Sequence, residues 1–178
     1  SADDNLLPLL ETVVEPGKDG TGVLKVGWKR GENIWHRGRV IVNVTMPKLG
    51  SLATAGSGDI KVEAFQTPAL SVAVAGSGNA RFDGLSTEDL GIRISGSGNV
   101  GGKGRTSKLK VSIAGSGDVK LMDMSADDVT VNIAGSGDAA VNAGKSLAVS
   151  IAGSGDVVYS GDAQVKSSVA GSGSVRRR

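Results

Sequence analysis

Cysteine is absent, histidine occurs once, and the aromatic residues are two Trp, two Phe and one Tyr in a chain of 178 residues. The lack of Cys excludes disulfides, thiolate metal sites and thiol nucleophiles, and it leaves the compartment open. With a single His no Ser-His-Asp arrangement is inferable, so nucleophilic catalysis has no support. Scarce aromatics mean that a core must be built from Val, Ile, Leu and Ala, which fill space only between closely spaced backbones; this disfavours a conventional sandwich or bundle. The 20 Lys and Arg nearly balance the 18 Asp and Glu, giving a net charge of +2 with Arg176, Arg177 and Arg178 clustered at one end. No basic stripe of the kind that binds nucleic acid is present. No apolar run approaches the ~20 residues of a membrane helix, and no signal peptide is visible.

Glycine, by contrast, is abundant at 28 residues, roughly double ordinary usage. Half of the glycines belong to one tripeptide, Gly-Ser-Gly: Gly56 and Gly58, Gly76 and Gly78, Gly96 and Gly98, Gly115 and Gly117, Gly135 and Gly137, Gly153 and Gly155, Gly171 and Gly173. Successive copies are spaced by 20, 20, 19, 20, 18 and 18 residues, a periodicity that signals a repeat architecture and not local composition.

Alignment of the copies on their first glycine gives apolar columns with a period of two. Two residues before it stand Thr54, Val74, Ile94, Ile113, Ile133, Ile151 and Val169; four residues after it stand Ile60, Ala80, Val100, Val119, Ala139, Val157 and Val175. Period two marks strands with one buried face. The phase is retained across Gly-Ser-Gly, so both glycines fall on the inward side, where a missing side chain permits a corner. The sequence therefore predicts an all-β chain: a right-handed parallel β-helix, or β-solenoid, of about seven coils with a period of 18–20 residues. A coil of that length has a perimeter of roughly 60 Å, and coils stack ~4.8 Å apart. Stability is then a sum of interfaces between neighbours, and the hand follows from the bias of parallel crossover connections. The variable stretches 83–88, 101–107 and 123–128 read as loops, where function could be grafted.

Residues 1–49 differ in composition and read as a β-rich N-terminal cap to the repeats at 50–178, within a single domain. In it Val23–Trp28 and 34–45 read as strands around a polar turn at 29–33. Residues 3–10 are too short and proline-broken for a stable helix and read as the tail of an element that begins upstream.

The reiterated Ala-Gly-Ser-Gly-Asp-Val of 114–119 and 152–157, with the lead-in 42–49 before the first copy, resembles the head GIN domain of the putative auto-transporter adhesin family. The resemblance covers essentially the whole chain. It implies a bacterial protein, exported and periplasmic or at the cell surface, built as a right-handed parallel β-helix. It also implies further strand sequence before residue 3, so the chain is expected to begin inside the domain.

Few residues offer chemistry. Residues 96–101 match G-x-G-x-x-G, but a dinucleotide site needs a helix after the motif and here strand follows strand. Asn43-Val44-Thr45 is a formal glycosylation sequon within a predicted strand, read as accidental. His36 lies between Trp35 and Arg37 in the cap and reads as a partly exposed strand residue.

The outward column after each Gly-Ser-Gly is Asp59, Asn79, Asn99, Asp118, Asp138, Asp156 and Ser174. Carboxylates ~4.8 Å apart repel by about 1 kcal/mol per pair in water. Lys61, Arg81 and Lys120, two residues on, are placed to compensate some of them. Asp, Asn and Ser share the ability to accept backbone N–H bonds, so each is expected to cap its own turn, with no metal bound. The alternative is a Ca²⁺ row on Asp118, Asp138 and Asp156, similar to glycine-aspartate calcium repeats except that those have a nine-residue period.

The outward face of the first strand, with Ala75, Ser95, Ala114, Ala134 and Ala152 in one column, is flat and small-residued. It lacks the aromatics of a sugar-stacking platform. Paired carboxylates could in principle perform acid and base catalysis as in β-helical polysaccharide enzymes, but the long loops those need are missing. The expected function is a non-enzymatic envelope or surface module, an adhesin or spacer, without a cofactor, that contacts a surface or protein partner. Self-association through open solenoid edges is an alternative, as is the calcium-stabilised module.

Overall fold

The computed structural model describes residues 7–16, 22–29 and 40–178. The chain forms two compact units, 1–46 and 47–178.

In the first unit, strand β1 (Leu10–Pro16) pairs antiparallel with β2 (Gly22–Trp28), in register from Leu10 opposite Trp28 to Pro16 opposite Gly22. A single 3₁₀ turn, Leu7–Leu9, precedes β1. Side chains alternate, so Leu10, Thr12, Val14, Leu24, Val26 and Trp28 share one face, and Glu15 pairs with Lys25 at 2.6 Å on the other. The strand expected over 34–45 does not form where it is described: 40–46 carry no strand, and Asn43-Val44-Thr45 is exposed chain outside any sheet. Its first half, with Trp35, His36 and Arg37, lies outside the described residues. Among the described residues β2 pairs with β1.

The second unit is the solenoid. Its strands are β3 (Ser51–Gly56), β4 (Ile60–Val62), β5 (Phe65–Gly76), β6 (Ala80–Gly96), β7 (Val100–Gly115), β8 (Val119–Gly135), β9 (Ala139–Gly153), β10 (Val157–Ser160), β11 (Gln164–Gly171) and β12 (Val175–Arg177). Every pairing is parallel and joins equivalent residues of adjacent coils: Ile94, Ile113, Ile133, Ile151 and Val169 form one continuous row. The apolar columns fill the interior, with Val111, Val119, Leu121, Val131 and Val141 wholly buried.

Gly-Ser-Gly is a corner with two demands. Its first glycine has positive φ in every copy, 133° at Gly135, where other residues are strained. Its second needs room for backbone: a Cβ on Gly137 would run into the carbonyl oxygen of Gly117 in the coil before. The corners are tied together by bonds such as Ser97 N–H to Gly76 O at 2.9 Å.

The stretches expected as loops are strands. Residues 83–88 lie within β6, 101–107 within β7 and 123–128 within β8, and they form a third side of each coil, bounded by two further bends. One bend carries a register shift, with Gly84 at φ 100°. At the other, Glu88 and Asp89 are exposed in succession, breaking the alternation. This side contributes Leu85, Met124, Ala126 and Ala143 to the core. Register shifts along this side, up to three residues between β8 and β9, absorb the difference between 18- and 20-residue coils.

Candidate functional site

Three surfaces could carry function: the column of Asp, Asn and Ser beside the Gly-Ser-Gly corner, the flat face of the first strands, and a groove at the opposite corner.

The column is a hydrogen-bonded ladder, but its bonds do not run within each turn as expected. Each side-chain Oδ1 accepts the backbone N–H of the equivalent residue in the next coil: Asp59 from Asn79 (2.9 Å), Asn79 from Asn99 (3.2 Å), Asn99 from Asp118 (3.1 Å), Asp118 from Asp138 (3.3 Å), Asp138 from Asp156 (2.8 Å) and Asp156 from Ser174 (2.9 Å). The cause is geometric: in a parallel solenoid the equivalent amide is one rung away, within reach of a one-carbon side chain. Asn79 and Asn99 additionally donate their amides to the residue below, at 2.8 and 2.9 Å.

The Ser174 hydroxyl also donates to Asp156 (2.8 Å). These two bonds from Ser174, hydroxyl first and N–H second, aided by Arg176, hold the Asp156 carboxyl below its ordinary value.

Of the cations expected to relieve the column, only Lys120 does so among the described residues, lying 3.3 Å from Asp118. Lys61 turns instead to Glu63 and Asp83 (3.3 and 3.6 Å) and Arg81 to Asp83 (3.8 Å), which Lys103 also approaches at 3.9 Å. The calcium candidates Asp118, Asp138 and Asp156 thus each commit one oxygen to a backbone N–H. No group of three acidic, His or Cys residues among the described residues is arranged to hold a metal. The G-x-G-x-x-G segment 96–101 runs from the end of β6 through the corner into β7, a strand on each side.

The groove went unseen in the sequence because its walls come from the stretches read as loops. It has a volume of about 570 Å³. One wall is Gln66, Ser86, Arg105 and Ser125, stacked in register over four coils. The other is Pro68, Glu88, Ser107 and Asp127, two residues further along each strand. Between them run Thr67, Thr87 and Thr106, whose hydroxyls donate to the carbonyls of Leu49, Pro68 and Glu88 at 2.9, 3.1 and 3.1 Å, closing the corner from within. Arg105 Nε donates to Ser86 Oγ (3.0 Å). Asp127 is taken by Lys145 of the next coil at 2.9 Å, a contact that raises the Lys145 pKa through the hydrogen bond first and charge second. The signal that could have revealed the groove is the recurrence of Thr nine residues before Gly-Ser-Gly, at 67, 87 and 106.

The fold is a parallel β-solenoid with a hydrogen-bonded ladder along one corner, and the family model described as "Putative auto-transporter adhesin, head GIN domain" matches residues 1–163. The chain belongs to that family. A crystal structure of a putative adhesin from Bacteroides fragilis is similar with a TM-score of 0.89 and 24% identity, covering 98% of this chain and 79% of that one. A putative adhesin from Parabacteroides distasonis gives 0.77 and 24%, covering 99% and 82%. A protein of the same organism described as a putative lipid binding protein gives 0.66 and 27%, with the same coverages. No curated protein matches the chain.

Proposed function

We propose that this chain is a non-enzymatic module of the bacterial envelope or cell surface, exported from the cytoplasm, that presents the sides of a rigid solenoid to a surface partner. The observation that supports this most is the lateral surface itself. Parallel pairing from β3 through to β12 holds the coils in register, and no buried side-chain polar atom among the described residues lacks a partner, so the exposed rows form a fixed pattern repeated every ~4.8 Å. A rigid pattern binds without the ordering cost that a mobile loop would pay. Labelled protein should bind intact bacterial or host cells saturably and be displaced by unlabelled protein; binding no greater than that of an inert protein of equal size would sink the reading.

A second reading has its own support. On the apolar face of the β1 and β2 hairpin Val14 is 70% and Val26 44% exposed, and a structural neighbour is described as a putative lipid binding protein. A hairpin face of this kind would rest against a lipid surface, with its charged face outward. Co-sedimentation with phosphatidylcholine vesicles, abolished by Val14→Asp, tests it; equal sedimentation of both proteins excludes it.

A further inference from the structure

We propose that the groove over the first four coils binds an acidic oligosaccharide, with Arg105 holding a carboxylate of the sugar; this rests on the surface-binding reading and names the ligand class for it. The two walls stand about 7 Å apart along the strands, and four rungs run for about 14 Å along the axis. A volume of about 570 Å³ lies within the range of small-ligand sites, roughly 300–1,000 Å³.

The lining decides the chemistry. It contains no aromatic ring, so a neutral sugar has nothing to stack on and would be held by hydrogen bonds alone. Arg105 changes this. It is exposed, its Nε is oriented by Ser86, and among the described residues its terminal nitrogens enter no ion pair, leaving a forked donor that matches a carboxylate. The hydroxyls of Ser107 and Ser125 and the amide of Gln66 both donate and accept, as sugar hydroxyls require. Asp127 is neutralised by Lys145, so the carboxylate left to accept hydroxyls is Glu88, one coil from Arg105.

Other ligands fit less well. One guanidinium beside two carboxylates gives too little positive potential for a polyphosphate or nucleic acid. A peptide would seek an open strand edge or an apolar pocket, whereas Ser86, Arg105 and Ser125 beneath the groove lie on strands that already pair on both sides.

The test is titration of the full chain by calorimetry and NMR with a galacturonic acid trimer, a neutral galactose trimer and a hexaglutamate peptide. The acidic trimer should bind with a Kd of about 1 mM or tighter, at least tenfold tighter than the other two. Arg105→Ala should weaken it at least tenfold with an unchanged melting temperature, while Arg93→Ala, an exposed cation on a different side, should leave it unchanged. Absent binding, equal binding of the neutral trimer or the peptide, or equal losses in the two variants would each overturn the proposal. Cell binding that survives Arg105→Ala would overturn it too, while leaving the surface-binding reading intact.

Discussion

The Asp138 carboxylate accepts the backbone N–H of Asp156 at 2.8 Å, one coil away. An Asp in this column is therefore a clamp between coils, and its oxygen, not its charge, makes the bond. Asn79 and Asn99 perform the same role in earlier coils. Asp138→Asn should then be neutral or slightly stabilising, because the bond survives and repulsion with Asp118 and Asp156 falls. Asp138→Ala should cost about 1 kcal/mol, the worth of one lost hydrogen bond. Millimolar Ca²⁺ should leave the melting temperature of the natural sequence nearly unchanged. A rise of several degrees with Ca²⁺, abolished by Asp138→Asn, would restore the calcium reading of Asp118, Asp138 and Asp156.

Acid should weaken the last rung. The Asp156 carboxyl is held below its ordinary value of 3.8 by the Ser174 hydroxyl and N–H, so folding favours its charged form. A depressed carboxylate contributes its stability above its unfolded-state pKa and loses it as pH falls through the lower folded value. The contribution should be intact at neutral pH, begin to fall near the ordinary value of 3.8, and be gone once the pH is below the lower folded-state value. Removing the leading cause with Ser174→Ala should move the Asp156 titration upward in a carbon-detected NMR experiment. An unmoved titration would show that the hydroxyl does not matter.

The seven coils were legible because Gly-Ser-Gly must recur wherever backbone meets backbone, and the Val and Ile columns beside it keep strict phase. The third side was not legible. Its inward positions include the row Leu85, Gly104 and Met124, whose residues differ too much in size to form a column by eye. The register shifts there also displace residues from their expected offsets. That lost side took the groove with it, since Ser86 and Arg105 looked like loop residues. In the first unit β1 was missed because Pro8 and Pro16 bracket it and its alternation is weak, whereas 40–45, rich in Val and Ile, carries no strand at all. The Asp column was found, but its partners were placed one coil short because sequence distance hid that the nearest free N–H lies 18–20 residues away.

Burial along one row should grade the cost of truncation. Ile133 is 2% exposed, whereas Val169, its equivalent two coils on, is 40% exposed. Ile133→Ala should cost ~2–5 kcal/mol as a core deletion, and Val169→Ala less than half of that. Asn132→Ala, facing outward beside Ile133, should stay within ~0.5 kcal/mol. Chemical denaturation of the three variants checks the order, and equal losses for Ile133→Ala and Asn132→Ala would mean that the faces are reversed.

Two glycines, one at a corner and one within a strand, should respond in opposite directions to the same added methyl. At Gly137 a Cβ would strike the Gly117 carbonyl oxygen, and the Ile113 side chain also lies 2.9 Å from it. Neither the backbone of the coil below nor the packed isoleucine can retreat without opening the stack. Gly137→Ala should therefore cost at least ~1–3 kcal/mol, the range for overpacking. Gly91 lies on the first strand facing outward, with nothing within 4 Å of the position its Cβ would take and no positive φ. Alanine there should be neutral or stabilise by up to ~1 kcal/mol, because glycine in a strand gives up more backbone freedom on folding. Melting curves of the two variants side by side decide the point. If Gly137→Ala melted no lower than Gly91→Ala, the corner would not be closed by backbone contact, and the repeated tripeptide would need a different physical reason.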